Sequence, residues 1–296
     1  MFLRVFTAAG VDLLVDTRST YVSLTNSPYL AHVLGTALDL YADEPYYPLE
    51  GGVVKGLVKV PTPRNRVDAE PYDYVLIVDV GGGVAVKILH VEPSVRVGDR
   101  LRLGDYLGRY VTSGYMMPWS DHHMHIEVRP ASDPLRVRGA YPLRPTPEFF
   151  REVSKLPCMG TRRCVVRRVG SWHVILEPVD GGYPCAYVEG YAGLLDAGIP
   201  HYGYGGVIIS GELEGCIGAS VRFLHEVVGR VTAVRGSVAV LTPTKAFSVS
   251  GVRVLGIGTY PLFRGVKAIL DKETPPESFR GVVKLGVNEL YELLIT

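Results

Sequence analysis

The chain has 296 residues, 47% of them hydrophobic, which is enough for two ordinary cores. Its 31 basic and 30 acidic residues leave a formal net charge of +1 with no long run of one sign, and that balance argues against a nucleic-acid binder. No run of roughly 18 apolar residues occurs, so no membrane span is expected.

In chain order, the start MFLRVFTAAGVDLLVDTRST does not read as a signal peptide, because Asp12 and Asp16 interrupt its apolar positions. A soluble, cytoplasmic chain is the expectation, and GVDLLVD reads as a strand donated to a barrel. GGVVKGLVKV, closed by Pro61, and the β-branched run YVLIVDV (74–80) are strands, with Gly81, Gly82 and Gly83 forming the turn into VAVKILHV (84–91). Gly98 and Gly104 punctuate VRVGDRLRLGDYLGRYV, and HMHIEVR (123–129) alternates cleanly. Residues 1–132 therefore read as an all-β domain. Five prolines in 130–148 mark 133–148 as a linker, since proline removes backbone donors and stiffens the chain. Residues 149–296 read as a second β-rich domain with a short helix at PEFFREV and another at NELYELLI. In it, LLDAGIPHYGYGGVIISG loosely echoes ALDLYADEPYYPLEGGVVKG, too loosely for a repeat.

Composition adds two expectations. The absence of Gln and the scarcity of Asn lean toward a heat-adapted protein. Cys158, Cys164, Cys185 and Cys216 form no CxxC pair, so a zinc knuckle is not expected. Cys158 and Cys164 are near enough in sequence to pair, although spacing alone does not decide it.

The chemistry concentrates in five histidines of the first half. His123 and His125 lie at i and i+2 of a strand, so both side chains point to one face, where they can share an ion or divide metal binding from acid–base work. An H-x-H pair alone is a weak signal, equally compatible with two surface histidines. Its surroundings are more specific. ALDLYADEPYYPLEGGVV with Asp39, then ILHVEP with His90, then VRVGDRLRLGDYLGRY, then HMHIEVRP follow one another over roughly a hundred residues. In that order they resemble the lysostaphin/LytM-type zinc metallopeptidases. The resemblance implies the family's duplicated hybrid motif fold, an antiparallel β barrel-sandwich. It implies Zn2+ held by Asp39 and His125, with a third ligand and an open position. It also implies that His90 and His123 are the catalytic histidines. One would orient and deprotonate the attacking water, and the other would stabilise the oxyanion or protonate the leaving amine. Glu127, on the face of His123 and His125, would hold an imidazole in the required tautomer, or else be a solvent-facing charge.

One position departs from the family. A histidine is expected four residues before Asp39, and Gly35 stands there. The nearest upstream histidine is His32, which a bulge or short insertion would have to bring round. Otherwise the third ligand is lost, with His122 or Asp121 as substitutes. Two functions therefore stand side by side: a zinc-dependent metalloendopeptidase acting on a peptide or protein substrate, or a catalytically inactive peptidase-like β module acting as a binding or scaffold protein.

Overall fold

The computed structural model describes residues 1–290, and they form a mainly β protein of two compact units. The first unit comprises Met1–Leu24 and Tyr29–Phe150; the second comprises Thr25–Pro28 and Arg151 onward. Among the described residues no helix is long and apolar enough to cross a membrane. Residues 291–296, which carry most of the helix expected at NELYELLI, lie outside the described residues.

In the first unit the strands are β1 (Phe2–Ala8), β2 (Val11–Asp16), β3 (Tyr21–Ser23), β4 (Leu38–Tyr41), β5 (Gly51–Pro61), β6 (Tyr72–Gly81), β7 (Val84–Leu89), β8 (Val91–Pro93), β9 (Arg100–Arg102), β10 (Gly108–Tyr110), β11 (Met124–Pro130) and β12 (Arg144–Pro145). A one-turn helix, α1 (Leu30–Val33), lies between β3 and β4. The main sheet has the order β3-β4-β11-β7-β6-β5-β9, antiparallel throughout. Strand alternation sorts its residues. Leu38, Leu40, Met124, Ile126, Val128, Val86 and Ile88 bury fully on one face. Asp39, His125, Glu127, Lys87 and Leu89 take the other, beside a small apolar patch of Val75, Ile77 and Ala85.

Two expectations for this unit are corrected. The strand at Val11–Asp16 is not donated to a barrel but pairs with β1 in a separate sheet of order β12-β1-β2. The proline-rich segment 133–148 is not a free linker but part of the first unit. Several of its backbone donors find acceptors there: Tyr141 N–H reaches Val128 O at 2.8 Å, Leu143 N–H reaches Gly35 O at 2.9 Å and Thr146 N–H reaches Val5 O at 3.0 Å. The buried Arg129 guanidinium also donates to the carbonyls of Asp133 and Arg138. Proline count predicts stiffness, and a stiff segment with paired donors packs as readily as it spans. A helix, α2 (Pro147–Val153), follows where PEFFREV predicts it.

The second unit contains β13 (Arg163–Val169), β14 (His173–Pro178), β15 (Cys185–Val188), β16 (Tyr191–Ile199), β17 (Tyr204–Ile209), β18 (Ser220–Phe223), β19 (Glu226–Arg235), β20 (Val238–Pro243), β21 (Lys245–Val249), β22 (Val252–Val254), β23 (Gly256–Thr259), β24 (Val266–Ile269) and β25 (Val282–Glu289). The ladder β15-β18-β19-β20-β17-β16 closes on itself because β15 also pairs with β16. This makes a small barrel with no free edge on that circuit. Asn288 and Glu289 extend the last strand rather than begin a helix. Cys158 pairs with Cys185 rather than with Cys164, and Cys164 and Cys216 are buried free thiols. The pairing follows the parallel bridge Cys158↔Tyr183, which brings the first cysteine beside the start of β15.

Residues 25–28 belong to this unit through hydrogen bonds to β16, β17 and β23. Thr25 N–H donates to Asp196 Oδ2 at 2.7 Å, Thr25 Oγ1 to Asp196 O at 2.5 Å and Asn26 Nδ2 to Thr259 O at 3.2 Å. The Tyr204 hydroxyl donates to Ser27 O. Glycine makes the approach possible: a Cβ on Gly206 would lie 2.7 Å from Thr25 Oγ1, and one on Gly198 would lie 2.4 Å from Asn26 Oδ1. Asp196 and Thr25 are both buried, so losing the carboxylate strands a backbone donor. Asp196→Ala is expected to destabilise the second unit by about 1–3 kcal/mol, read as a lower urea midpoint for that unit's transition.

Candidate metal centre

The centre is written in the register of the main sheet. Asp39 on β4 stands directly opposite His125 on β11, which stands opposite Leu89 on β7, and His90 follows immediately. Directly opposed side chains on one face of a sheet have Cβ atoms about 4.5–5.5 Å apart, so a carboxylate and an imidazole there must meet. His125 Nδ1 lies 3.0 Å from Asp39 Oδ1.

His32 reaches the same point from α1. Its Nε2 lies 3.1 Å from Asp39 Oδ1 and 3.2 Å from His125 Nδ1. The device that brings it round is a helical turn rather than a bulge. Gly35 follows α1 with φ +68°, its N–H bonded to His32 O at 2.9 Å, while Thr36 N–H returns to Ala31 O at 2.8 Å. A left-handed residue just past a helix end favours glycine. The glycine at the position where the family pattern expects histidine is thus the residue that closes the turn presenting His32. His122 is engaged elsewhere: its Nε2 is 2.9 Å from Thr112 Oγ1 and its ring stacks on Tyr110. Asp121 offers its carbonyl to His123.

The three converging atoms are fixed from behind. His32 Nδ1 lies 3.0 Å from Leu24 O, an acceptor only, so Nδ1 carries the proton and Nε2 offers a lone pair. His125 Nε2 lies 3.2 Å from Glu127 Oε1, so that nitrogen donates and Nδ1 offers its lone pair. Glu127 is held in turn by Lys87 Nζ at 2.8 Å and by the Arg129 guanidinium. The result is a triangle of three acceptors, two imidazole nitrogens and a carboxylate oxygen, with edges of 3.0, 3.1 and 3.2 Å. Three acceptors that close repel one another unless a positive centre lies among them. Ligands about 2.0–2.1 Å from a tetrahedral ion are roughly 3.3 Å apart, so the triangle has the size such an ion needs.

The electrostatics agree. Burial works against the Asp39 carboxylate, but His32, His123 and His125 outweigh it and hold the group well below the usual carboxylate range. Burial also works against a charged His125, yet its hydrogen bonds to Asp39 and Glu127 raise it to about 9. A proton is thus the simplest cation the triangle can hold. His123 differs: burial pushes it down to about 4 although Asp39 lies nearby, its Nε2 being 3.6 Å from Asp39 Oδ2.

The other two histidines surround this triangle. The His90 ring centroid lies 5.2 Å from that of His123 and 6.1 Å from that of His125. His123 Nδ1 donates to Asp121 O at 2.8 Å. All six residues singled out in the sequence, His32, Asp39, His90, His123, His125 and Glu127, therefore lie in one neighbourhood. The sequence reading missed Asp73, whose carboxylate accepts both the backbone N–H and the ring Nδ1–H of His90. An aspartate at an otherwise apolar strand start, within PYDYVLIVDV, was the available signal. Tyr47 is buried, and the exposed Tyr115 accepts the Tyr29 hydroxyl at its carbonyl.

A family profile described as the N-terminal domain of a domain of unknown function (DUF8155) matches residues 11–145. No curated protein matches. One similar solved structure is described as a novel M23 metalloprotease, pseudoalterin, from the deep sea; it is 18% identical over 40% of this chain and 68% of that one, with a TM-score of 0.26. A superposition that loose transfers nothing about activity.

Because Glu127 stands behind His125, Glu127→Gln is expected to weaken binding of a divalent ion about 10–100-fold. Competition titration with a zinc chromophore measures this, and an unchanged affinity would remove Glu127 from the centre.

Proposed function

We propose that the first unit is a zinc-dependent, metallopeptidase-like hydrolase of peptide bonds, with His32, Asp39 and His125 as the metal ligands and His90 and His123 as the catalytic histidines. The observation that carries this reading is the triangle of three converging acceptors, each imidazole locked in its tautomer from behind. Two imidazoles and a carboxylate are a donor set suited to zinc. Bound there, the ion would polarise a peptide carbonyl and lower the pKa of water to about 7.

The chain's own contribution is to hold the ligands and to move protons. Leu24 O engages His32 Nδ1 and Glu127 engages His125 Nε2, which turns the opposite nitrogen of each ring toward the ion. His90 and His123 flank the triangle with each Nδ1 engaged, so each ring presents Nε2, that of His123 beside Asp39 Oδ2 at 3.6 Å. One would take the proton of the attacking water, and the other would stand near the oxyanion or the departing amine. The substrate class is a peptide or protein.

A specific observation favours the alternative, a catalytically inactive module. His32 is 0% exposed, Asp39 3%, His123 6% and His90 8%, so the centre is nearly closed to solvent. A fully enclosed ion would be structural, since catalytic zinc keeps a position open.

One experiment separates the readings. The purified protein should carry about one zinc per chain by elemental analysis, and His32→Ala, Asp39→Ala and His125→Ala should each lose it. His90→Ala should keep the zinc but lose hydrolysis of a fluorogenic glycine-rich peptide. Zinc content unaffected by all three ligand substitutions would end the metal reading. Bound zinc with no hydrolysis by the wild-type protein would establish the inactive module.

A further inference from the structure

His90 sits where strand geometry should continue and does not. Its φ is +69°, a conformation that residues with side chains rarely adopt, and it falls between Leu89, the last residue of β7, and Val91, the first of β8. Asp73, near the start of β6 and 1% exposed, accounts for it. One carboxylate oxygen, Oδ1, accepts the backbone N–H of Tyr74 at 2.7 Å and that of His90 at 3.1 Å. The other, Oδ2, accepts the ring Nδ1–H of His90 at 2.6 Å. The Ser113 hydroxyl donates to the same carboxylate. A single buried side chain thus sets both the backbone and the ring of His90.

We infer that Asp73 is a positioning residue that locks His90 in the tautomer bearing its proton on Nδ1, which makes His90 Nε2 the proton-accepting nitrogen of the site. The inference rests on the hydrolase reading and goes further, because it divides the work between the two histidines. His123 Nδ1 is backed by a neutral carbonyl, that of Asp121. His90 is backed by a carboxylate, which balances the imidazolium formed when Nε2 takes a proton. In amide hydrolysis an O–H bond of the attacking water breaks, its proton passes to His90 Nε2 and the oxygen forms a C–O bond at the peptide carbonyl. The C–N bond then breaks as the proton is given to the departing amine.

The two oxygens of Asp73 make the test sharp. In Asp73→Asn the amide oxygen must stay with the two backbone donors, which puts the amide NH2 against His90 Nδ1. Two donors cannot face each other, so the ring should change to the form protonated on Nε2. Long-range proton–nitrogen correlation spectra of protein labelled with 15N-histidine report this directly, with the His90 signals identified by their loss in His90→Gln. The expected result near neutral pH is a proton on Nδ1 in the wild type and on Nε2 in Asp73→Asn. Zinc affinity should be unchanged, and turnover of the glycine-rich peptide should fall about 10²–10⁴-fold at constant KM. A wild-type His90 protonated on Nε2 overturns the inference without any variant. So does an Asp73→Asn protein whose tautomer or turnover is unaltered. Failure to bind zinc would instead sink the hydrolase reading, while the tautomer spectra still decide what Asp73 does.

Discussion

The first unit is organised around three polar side chains that converge on one point and are held there from behind. Leu24 O and Glu127 each engage one nitrogen of an imidazole, so His32 and His125 turn their other nitrogens toward each other and toward Asp39 Oδ1. The sheet keeps this convergence in place, because Asp39 and His125 are locked opposite each other by β4–β11 pairing. A cation among them, whether a proton or a metal ion, offsets their mutual repulsion. The apolar face of the sheet supplies the rigidity: Leu38, Leu40, Met124 and Ile126 are fully buried, so neither strand can slip. A slip of one residue would carry Asp39 and His125 to the opposite face.

Support continues behind this layer. Glu127, which holds His125, is itself clamped by the buried cations Lys87 and Arg129. A buried carboxylate left with no cation is an uncompensated charge, a loss of about 3–5 kcal/mol, and the two cations here guard against it jointly. Arg129 also reaches the carbonyls of Asp133 and Arg138. Through it the proline-rich segment is tied to the strand that carries His125, which is why that segment belongs to the unit.

How much of this could be read from the sequence follows from what kind of spacing fixes each part. Strand residues have a period of two, so HMHIEVR announces that His123, His125 and Glu127 share a face, and they meet as that period requires. The strands of YVLIVDV and VAVKILHV were legible for the same reason. Asp73 was not, because an aspartate at a strand end reads as a turn residue until the neighbouring strand places a histidine against it. The Cys158–Cys185 pair was also hidden, since a non-local bridge depends on which loop reaches β15 and not on spacing along the chain. The proline-rich 133–148 misled by composition, because what decides a linker is whether its backbone donors find partners.

His32 shows where the family pattern and the physics part. The pattern asks for a histidine four residues before Asp39. Here that position is Gly35, and the histidine lies seven residues before Asp39. A site of this kind constrains where a nitrogen lone pair sits in space and which acceptor takes the opposite proton. It does not constrain the path of the chain between them. One helical turn closed by a left-handed glycine takes up the extra residues, and the chain ahead of it supplies Leu24 O as the acceptor behind the ring. A missing ligand in a sequence pattern is therefore weak grounds for a dead site when a histidine precedes a glycine-closed turn nearby. The stronger sign of an unlocked centre would have been a His32 with no acceptor behind it, free to present either nitrogen.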